Sequence, residues 1–266
     1  MAIREHMLRP PRPADVHSRQ AGSVAILLAV LTANVLAACG GGDDKPAEPL
    51  KLGRAPAEPG KSIDLDIPLD ASGFFAFNQW PQACEILTDA DIEAVLPQTE
   101  EVKRTPDDQD IKIIGDVPQT VTAVGATCTY KLDLPDAGLR PDDPAIPPSI
   151  RLTVESAGSP EVVEQNFSGD VNDPTKVPGG ECYVRDKSAG VNCFKGQLAF
   201  QITSRFPHQD LDNVAWTDRY VVGGKTTTFT DDGTDKDAGF EEFTKAEEFR
   251  RDALDVELAE IVLAKY

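Results

Sequence analysis

Histidine is almost missing from this chain. Among 266 residues it occurs as His6, His17 and His208. A Ser–His–Asp hydrolase would have to use His208, in Phe206-Pro207-His208-Gln209-Asp210, and no Gly-x-Ser-x-Gly elbow presents a serine to it. A surface histidine is the better reading. No Cys-x-x-Cys occurs, which removes the thioredoxin-like redox motif and, with so few histidines, the usual zinc sites. Aromatic residues are 6% of the chain, too few to favour a sugar-stacking cleft. Basic residues are in deficit, 26 Lys and Arg against 45 Asp and Glu, for a formal net charge of −19. That excess argues against nucleic acid and against adsorption to anionic lipid, both of which need basic surface. Its plain reading is solubility; its functional reading is attraction of cations or a basic partner.

The apolar run 24–38 is shorter than the about 20 residues a comfortable membrane span requires. A basic stretch precedes it, with Arg4, Arg9, Arg12 and Arg19 against Glu5 and Asp15, as in a signal peptide. That stretch is long, which makes Met7 a candidate start. The run ends Leu36-Ala37-Ala38-Cys39-Gly40, which resembles the lipobox of bacterial lipoproteins: Leu, a small residue, Ala or Gly, then Cys. The resemblance implies that Cys39 takes a diacylglycerol and becomes the mature N-terminus, with 1–38 as a lipoprotein signal peptide. Two or more acyl chains, palmitate among them, anchor stably where one does not. Gly, Pro and charge crowd the residues after Cys39, so 39–75 reads as the lipidated cysteine and a disordered tether. Residues 40–62, if flexible, reach roughly 25 Å root-mean-square. The remainder, 76–266, reads as a single disulfide-bonded domain on the extracytoplasmic face of the cell membrane.

Four cysteines remain: Cys84, Cys128, Cys182 and Cys193. An even number outside the membrane suggests two disulfides, and four cysteines allow three pairings. Cys182–Cys193 is favoured because Tyr183-Val184-Arg185 and Gly190-Val191-Asn192 flank Asp186-Lys187-Ser188-Ala189 like a hairpin. Any even loop centred between Lys187 and Ser188 sets the two cysteines directly opposite. Cys84–Cys128 would then close the longer loop, worth about 4 kcal/mol in the chain-entropy picture against about 3 for the short one.

Three helices have readable starts. Thr88-Asp89-Ala90-Asp91 has the form of a capping box with Asp for Glu, flanked by Leu87 and Ile92 at the staple positions, and predicts a helix to about Leu96. Ser159-Pro160-Glu161 predicts one to about Phe167. Thr244-Lys245-Ala246-Glu247 reads as a full capping box opening a long helix to about Ala264, with Phe249, Ala253, Leu254, Val256, Leu258 and Ile261 on one apolar face. Ala126–Leu132, Ser149–Glu155, Gln197–Ser204 and Val214–Val222 alternate with period two, and Val222-Gly223-Gly224-Lys225 suits a hairpin turn into Thr226–Thr230. The expected fold class is α+β: an antiparallel sheet with helices packed on one face, in an order that reads as a duplicated helix–meander unit.

Ala83-Cys84-Glu85-Ile86-Leu87-Thr88-Asp89-Ala90-Asp91-Ile92 resembles the opening motif of a family of actinobacterial lipoproteins that carry a domain of unknown function. Members have Pro-Cys, a small residue and Leu-Leu-Thr before a helix, then a second cysteine in a strand some 40 residues on, as Cys128 stands here in Cys-Thr-Tyr. Ala83 replaces the usual Pro, and the Cys182 and Cys193 pair is an addition. The resemblance implies an envelope lipoprotein with an α+β sheet and no catalytic residues to carry over. A lipoprotein with the fold of the photosystem oxygen-evolving protein P is a neighbouring alternative.

Tests for chemistry find little. Gly60-Lys61-Ser62 resembles the end of a phosphate loop, but Ala55 stands where Gly is needed and Ile63-Asp64-Leu65-Asp66-Ile67 alternates like a strand. Acidic clusters occur at Asp107-Asp108-Gln109-Asp110 and at 231–237. From Asp235, a calcium loop would need an acidic or amide residue where Gly239 stands and Gly where Phe240 stands. No metal ligands, catalytic residues or cofactor are therefore assigned. The expectation is a non-catalytic envelope module that binds a protein partner, an envelope polymer or a small ligand, with a carboxylate hydrolase and a calcium-linked sensor as alternatives.

Overall fold

The computed structural model describes residues 48–58, 60–113, 119–134, 147–167, 174–184, 190–206 and 215–266. The signal segment, Cys39 and His208 lie outside them. The alternating stretches become strands. Seven form one antiparallel sheet: β2 (Glu101–Ile113), β3 (Gln119–Asp133), β4 (Ser149–Ala157), β5 (Pro174–Thr175), β6 (Glu181–Tyr183), β7 (Val191–Lys195) and β8 (Leu198–Arg205). Their order is β2-β3-β4-β8-β7-β6-β5. Two meanders thus join through their last strands, β4 and β8, with Leu152 opposite Ile202. A smaller sheet, ordered β1-β9-β10, contains β1 (Leu50–Leu52), β9 (Trp216–Val222) and β10 (Lys225–Asp231). Gly223 and Gly224 both have positive φ, 56° and 80°, and close the β9–β10 hairpin with Val222 opposite Lys225, as the sequence predicts.

Period two divides the large sheet into unlike faces. Cys128, Tyr130 and Leu132 of β3, Ile150, Leu152 and Val154 of β4, and Leu198, Phe200 and Ile202 of β8 are all buried in the main core. Helices cover that face: α1 (Ala83–Ile86), α2 (Asp89–Val95), and a long helix built from α4 (Lys236–Arg250), a π-helical turn (Arg251–Asp255) and α5 (Val256–Leu263). The class is α+β, an antiparallel sheet with helices against it. One helix departs from the single-face expectation. α3 (Pro160–Phe167) packs Val163 with Tyr183, Ala199 and Phe194, which alternate with core residues and so belong to the opposite face. A repeat relating two antiparallel meanders would set both sets of helices on one face, so α3 does not fit the duplicated unit.

The α2 start is as read. The Thr88 hydroxyl accepts from the Asp91 amide at 3.2 Å, and the Asp91 carboxylate accepts from the Thr88 amide at 2.7 Å. Leu87 and Ile92 are fully buried. The long helix starts nine residues before the expected site. Asp235 is its cap, accepting from the amides of Asp237 at 3.0 Å and Ala238 at 3.3 Å. Thr244 lies inside the helix, its hydroxyl donating to the Phe240 carbonyl at 2.9 Å. A Thr-x-x-Glu string has the same letters at a start and in an exposed interior; the residue that caps this helix is Asp235, within the acidic cluster.

Residues 50–75 are not a tether. Leu50 and Leu52 are 2% and 4% exposed, and β1 pairs in parallel with β9. The Gly53 amide donates to the Val95 carbonyl at 2.9 Å, and the Ile63 amide to the Lys265 carbonyl at 2.9 Å. Ile63, Leu65 and Ile67 pack against the core as an extended strap, and Phe75 is fully buried. A three-residue strand is too short for a periodicity signal, and its Pro- and charge-rich flanks masked it. The folded domain therefore begins near Leu50, and the remaining tether candidates, 39–47, lie outside the described residues.

Both expected disulfides are present. Cys84–Cys128 fastens α1 to β3 with Cα atoms 5.0 Å apart, and Cys182–Cys193 links directly opposite residues of β6 and β7 at 4.1 Å. Two disulfides fit folding in an oxidising, extracytoplasmic compartment. Among the described residues no helix is long and apolar enough to cross a membrane.

Burial of Leu52 makes a measurable difference between strap and tether. Leu52→Ala is expected to lower unfolding free energy in urea by about 2–3 kcal/mol, as for a core leucine. No change in the denaturation midpoint would return this segment to the tether.

Candidate functional site

Among the described residues, α3 covers the second face of the large sheet over β6, β7 and the start of β8, where Val163 meets Tyr183, Phe194 and Ala199. Over β3, β4 and the rest of β8 that face is polar. Register places three residues from each strand in a grid. Lys131, Ser149 and Arg205 form one row, Thr129, Arg151 and Thr203 the next, and Thr127, Thr153 and Gln201 the third. The third row continues into Asn192 and Tyr183. Period two puts all nine on one face, because their neighbours Cys128, Tyr130, Ile150, Leu152, Ile202 and Ser204 turn into the core. A groove of about 610 Å³ runs over seven of the nine, all but Thr127 and Lys131, and is walled also by Gln109 and Glu155.

The grid grades from wet to dry. Lys131, Arg151 and Arg205 are exposed, Thr129, Ser149, Thr203 and Gln201 are half-buried, and Thr127 and Thr153 are 1% and 6% exposed. The Thr127 hydroxyl donates to that of Thr153 at 3.4 Å. Asn192 is fully buried, and neither atom of its amide has a hydrogen-bond partner. Gly190, with φ +76°, continues β7 beside Thr203; a Cβ there would lie 2.1 Å from the Ile202 carbonyl oxygen and 2.8 Å from the Thr203 hydroxyl. Glycine therefore keeps this margin of the grid low.

The charge is local and of the minority sign. Arg151 lies diagonal to both Lys131 and Arg205, at the about 7–8 Å spacing of diagonal neighbours. None of the three forms an ion pair with a described residue. Lys103 extends the first row opposite Lys131, and pairs at 3.0 Å with Glu101 on its own strand. Glu155 is the one carboxylate among the groove's lining residues. Asp107 stands beyond Thr127 at the margin.

A second cleft, about 520 Å³, lies between 174–178 and the β6–β7 pair, lined by Val177, Cys182, Tyr183 and Phe194. It is apolar and adjoins the short edge strand β5.

The four disulfide cysteines do structural work in two places and do not converge on either groove as reactive thiols. The acidic runs are engaged in local hydrogen bonds. Asp108 accepts from the Gly125 amide at 2.8 Å, Asp110 from the Thr122 hydroxyl at 2.9 Å, Asp231 from the Gly233 amide at 3.1 Å and Asp232 from the Thr234 amide at 2.9 Å. Among the described residues no group of three or more His, Cys, Asp and Glu side chains is disposed to hold a metal ion.

Two buried charge clusters were not foreseen, because their members are far apart in sequence. Lys265 donates to Asp91 at 2.6 Å and to the Ile86 carbonyl at 2.7 Å. Burial alone would raise the Asp91 carboxyl, but hydrogen bonds from Lys265 and Thr88 hold it below its ordinary value. Under the π turn, Arg250 is clamped by the Glu247 carboxylate and donates to the Ser204 hydroxyl and carbonyl, each at 3.2 Å. Its guanidinium stands 5.1 Å from the Phe206 ring centre. Asp255 beside it is 2% exposed, and burial pushes its carboxyl up to about 6 despite Ser204 and Arg250. A raised carboxyl and a π turn are both common at functional sites. Here they are sealed between helix and sheet, out of reach of either groove. No protein family, curated protein or solved structure matches this chain.

The Asp255 shift carries a sign. A carboxyl whose folded value, about 6, lies above the ordinary 3.8 keeps its proton longer when folded. Its unfavourable contribution is absent below the ordinary value, grows between about 4 and 6, and is complete above 6. Asp255→Asn is expected to melt higher than the parent at pH 7.5, with the advantage fading by pH 4.5. An equal difference at both pH values contradicts this assignment.

Proposed function

We propose that the protein is a lipid-anchored, extracytoplasmic, non-catalytic binding module whose ligand surface is the open face of the large sheet. The lipobox at Cys39 supports the anchor, and the two disulfides support the compartment. One observation carries the choice of surface: the three-by-three polar grid over β3, β4 and β8, with cations unpaired within the described fold. Polar side chains on paired, internal strands form a rigid array, which suits recognition without rearrangement. Turnover by two flanking carboxylates is less well supported, since a single glutamate walls the groove. A calcium-linked sensor has less support again, because the acidic runs already serve turns, strands and a helix cap.

A photo-crosslinking residue at Thr203, on the grid, is expected to capture a partner or ligand in native membranes, while one at Glu93 on the exposed side of α2 is not. Cys39→Ser is expected to release the protein from the membrane fraction and to abolish fatty-acid incorporation. Equal capture at both positions, or none at either, contradicts the surface; a C39S product that still sediments with membranes contradicts the anchor.

A further inference from the structure

We propose that the grid binds an acidic polysaccharide, with Arg151, Arg205 and Lys131 holding its oxyanion groups. The proposal rests on reading the chain as a binding module and gives that module's ligand a chemistry.

Three exposed cations cluster on one face of a chain with 45 acidic and 26 basic residues. Like charges this close repel, and the acids of that face, Asp133 and Glu155, stand outside the triangle they form. Hydroxyls occupy the intervening grid points: Ser149 between Lys131 and Arg205, Thr129 and Thr203 on either side of Arg151. An oxyanion placed over Ser149 would meet guanidinium on one side, ammonium on another and a hydroxyl donor beneath. Guanidinium forks match carboxylate and phosphate oxygens, and such bonds are the stronger kind.

The rest of the groove selects against other polyanions. β3, β4 and β8 are each paired on both edges, so no backbone is free for a peptide to add a strand. The grid holds no apolar anchor for peptide side chains. It holds hydroxyls and the amides of Gln109 and Gln201, which exchange hydrogen bonds with sugar hydroxyls. Cationic points spaced by hydroxyls fit a polyhydroxylic chain whose acids are spaced along it. The chain's overall negative charge makes binding weak and salt-sensitive.

The test uses the full-length chain in detergent, with oligogalacturonate as probe and dextran oligomers and poly-L-glutamate as comparators, followed by calorimetry. Oligogalacturonate is expected to bind, more weakly as salt rises, with dextran inert and poly-L-glutamate much weaker. Arg151→Gln and Arg205→Gln are each expected to lower affinity by about fivefold or more, the loss of one charge-assisted contact. The double variant is expected to abolish binding with the melting temperature unchanged, and Lys51→Gln, away from the grid, to bind as the parent does. Absence of binding by the folded parent, equal binding of poly-L-glutamate, or binding that survives in the double variant would overturn the proposal. If these fail while the crosslinker at Thr203 still captures material from membranes, only the ligand chemistry falls; if both fail, the binding-module reading falls with it.

Discussion

Everything in this domain is arranged around the fastening of Ala83–Asp91 to one face of the sheet. Cys84 is bonded to Cys128, and two residues along β3 the Tyr130 hydroxyl donates to the Ala83 carbonyl and accepts from the Leu87 amide. Arg104 lies 5.4 Å over the Tyr130 ring and donates to the Leu87 carbonyl at 3.2 Å. Asp91 closes the cap of α2 and pairs with Lys265 from the other end of the chain. One segment therefore joins sheet, first helices and last helix. A buried pair of this sort adds little net stability over an apolar substitute, but removing one partner leaves an uncompensated charge at a cost of about 3–5 kcal/mol. Its value is that it admits one arrangement of the layers.

That fastening decides which face is left open. With α1, α2 and α5 committed to the apolar face, β3, β4 and β8 present their alternate positions outward. Those positions are hydroxyls, amides and three cations. The Cys84 motif is accounted for by packing: Cys84, Thr88, Asp89 and Asp91 all hold the fold. The groove over the grid lies on the opposite side of the sheet, and its chemistry comes from residues outside the motif.

Much of the fold was legible where signals were local. The Thr88 cap, the Ser159-Pro160 start, the glycine turn at 223–224 and the placing of Cys182 opposite Cys193 each depend on a short stretch of sequence, and each stands as read. The failures are non-local. Leu50 and Leu52 gain a partner, β9, far along the chain, and Asp235 acts as a cap only because the helix extends upstream of its apolar half. The grid falls between these cases. That Thr129 and Lys131, or Ser149 and Arg151, share a face is visible from period two alone. That Lys131, Arg151 and Arg205 meet depends on pairing of β3 with β4 and of β4 with β8, which three separate polar stretches do not reveal. The proposed anchor is the reverse: it is read from five letters around Cys39, which lie outside the described residues.

The central claim is that ligand meets the sheet on the side away from the helices. Amide chemical shifts of the isotopically labelled full-length protein, followed while oligogalacturonate is added, address it residue by residue. The account predicts movement at residues 129, 151 and 203, with those of α5, 256–263, unmoved. Shifts concentrated in the helical layer, or around the apolar cleft at 174–178 alone, would contradict it.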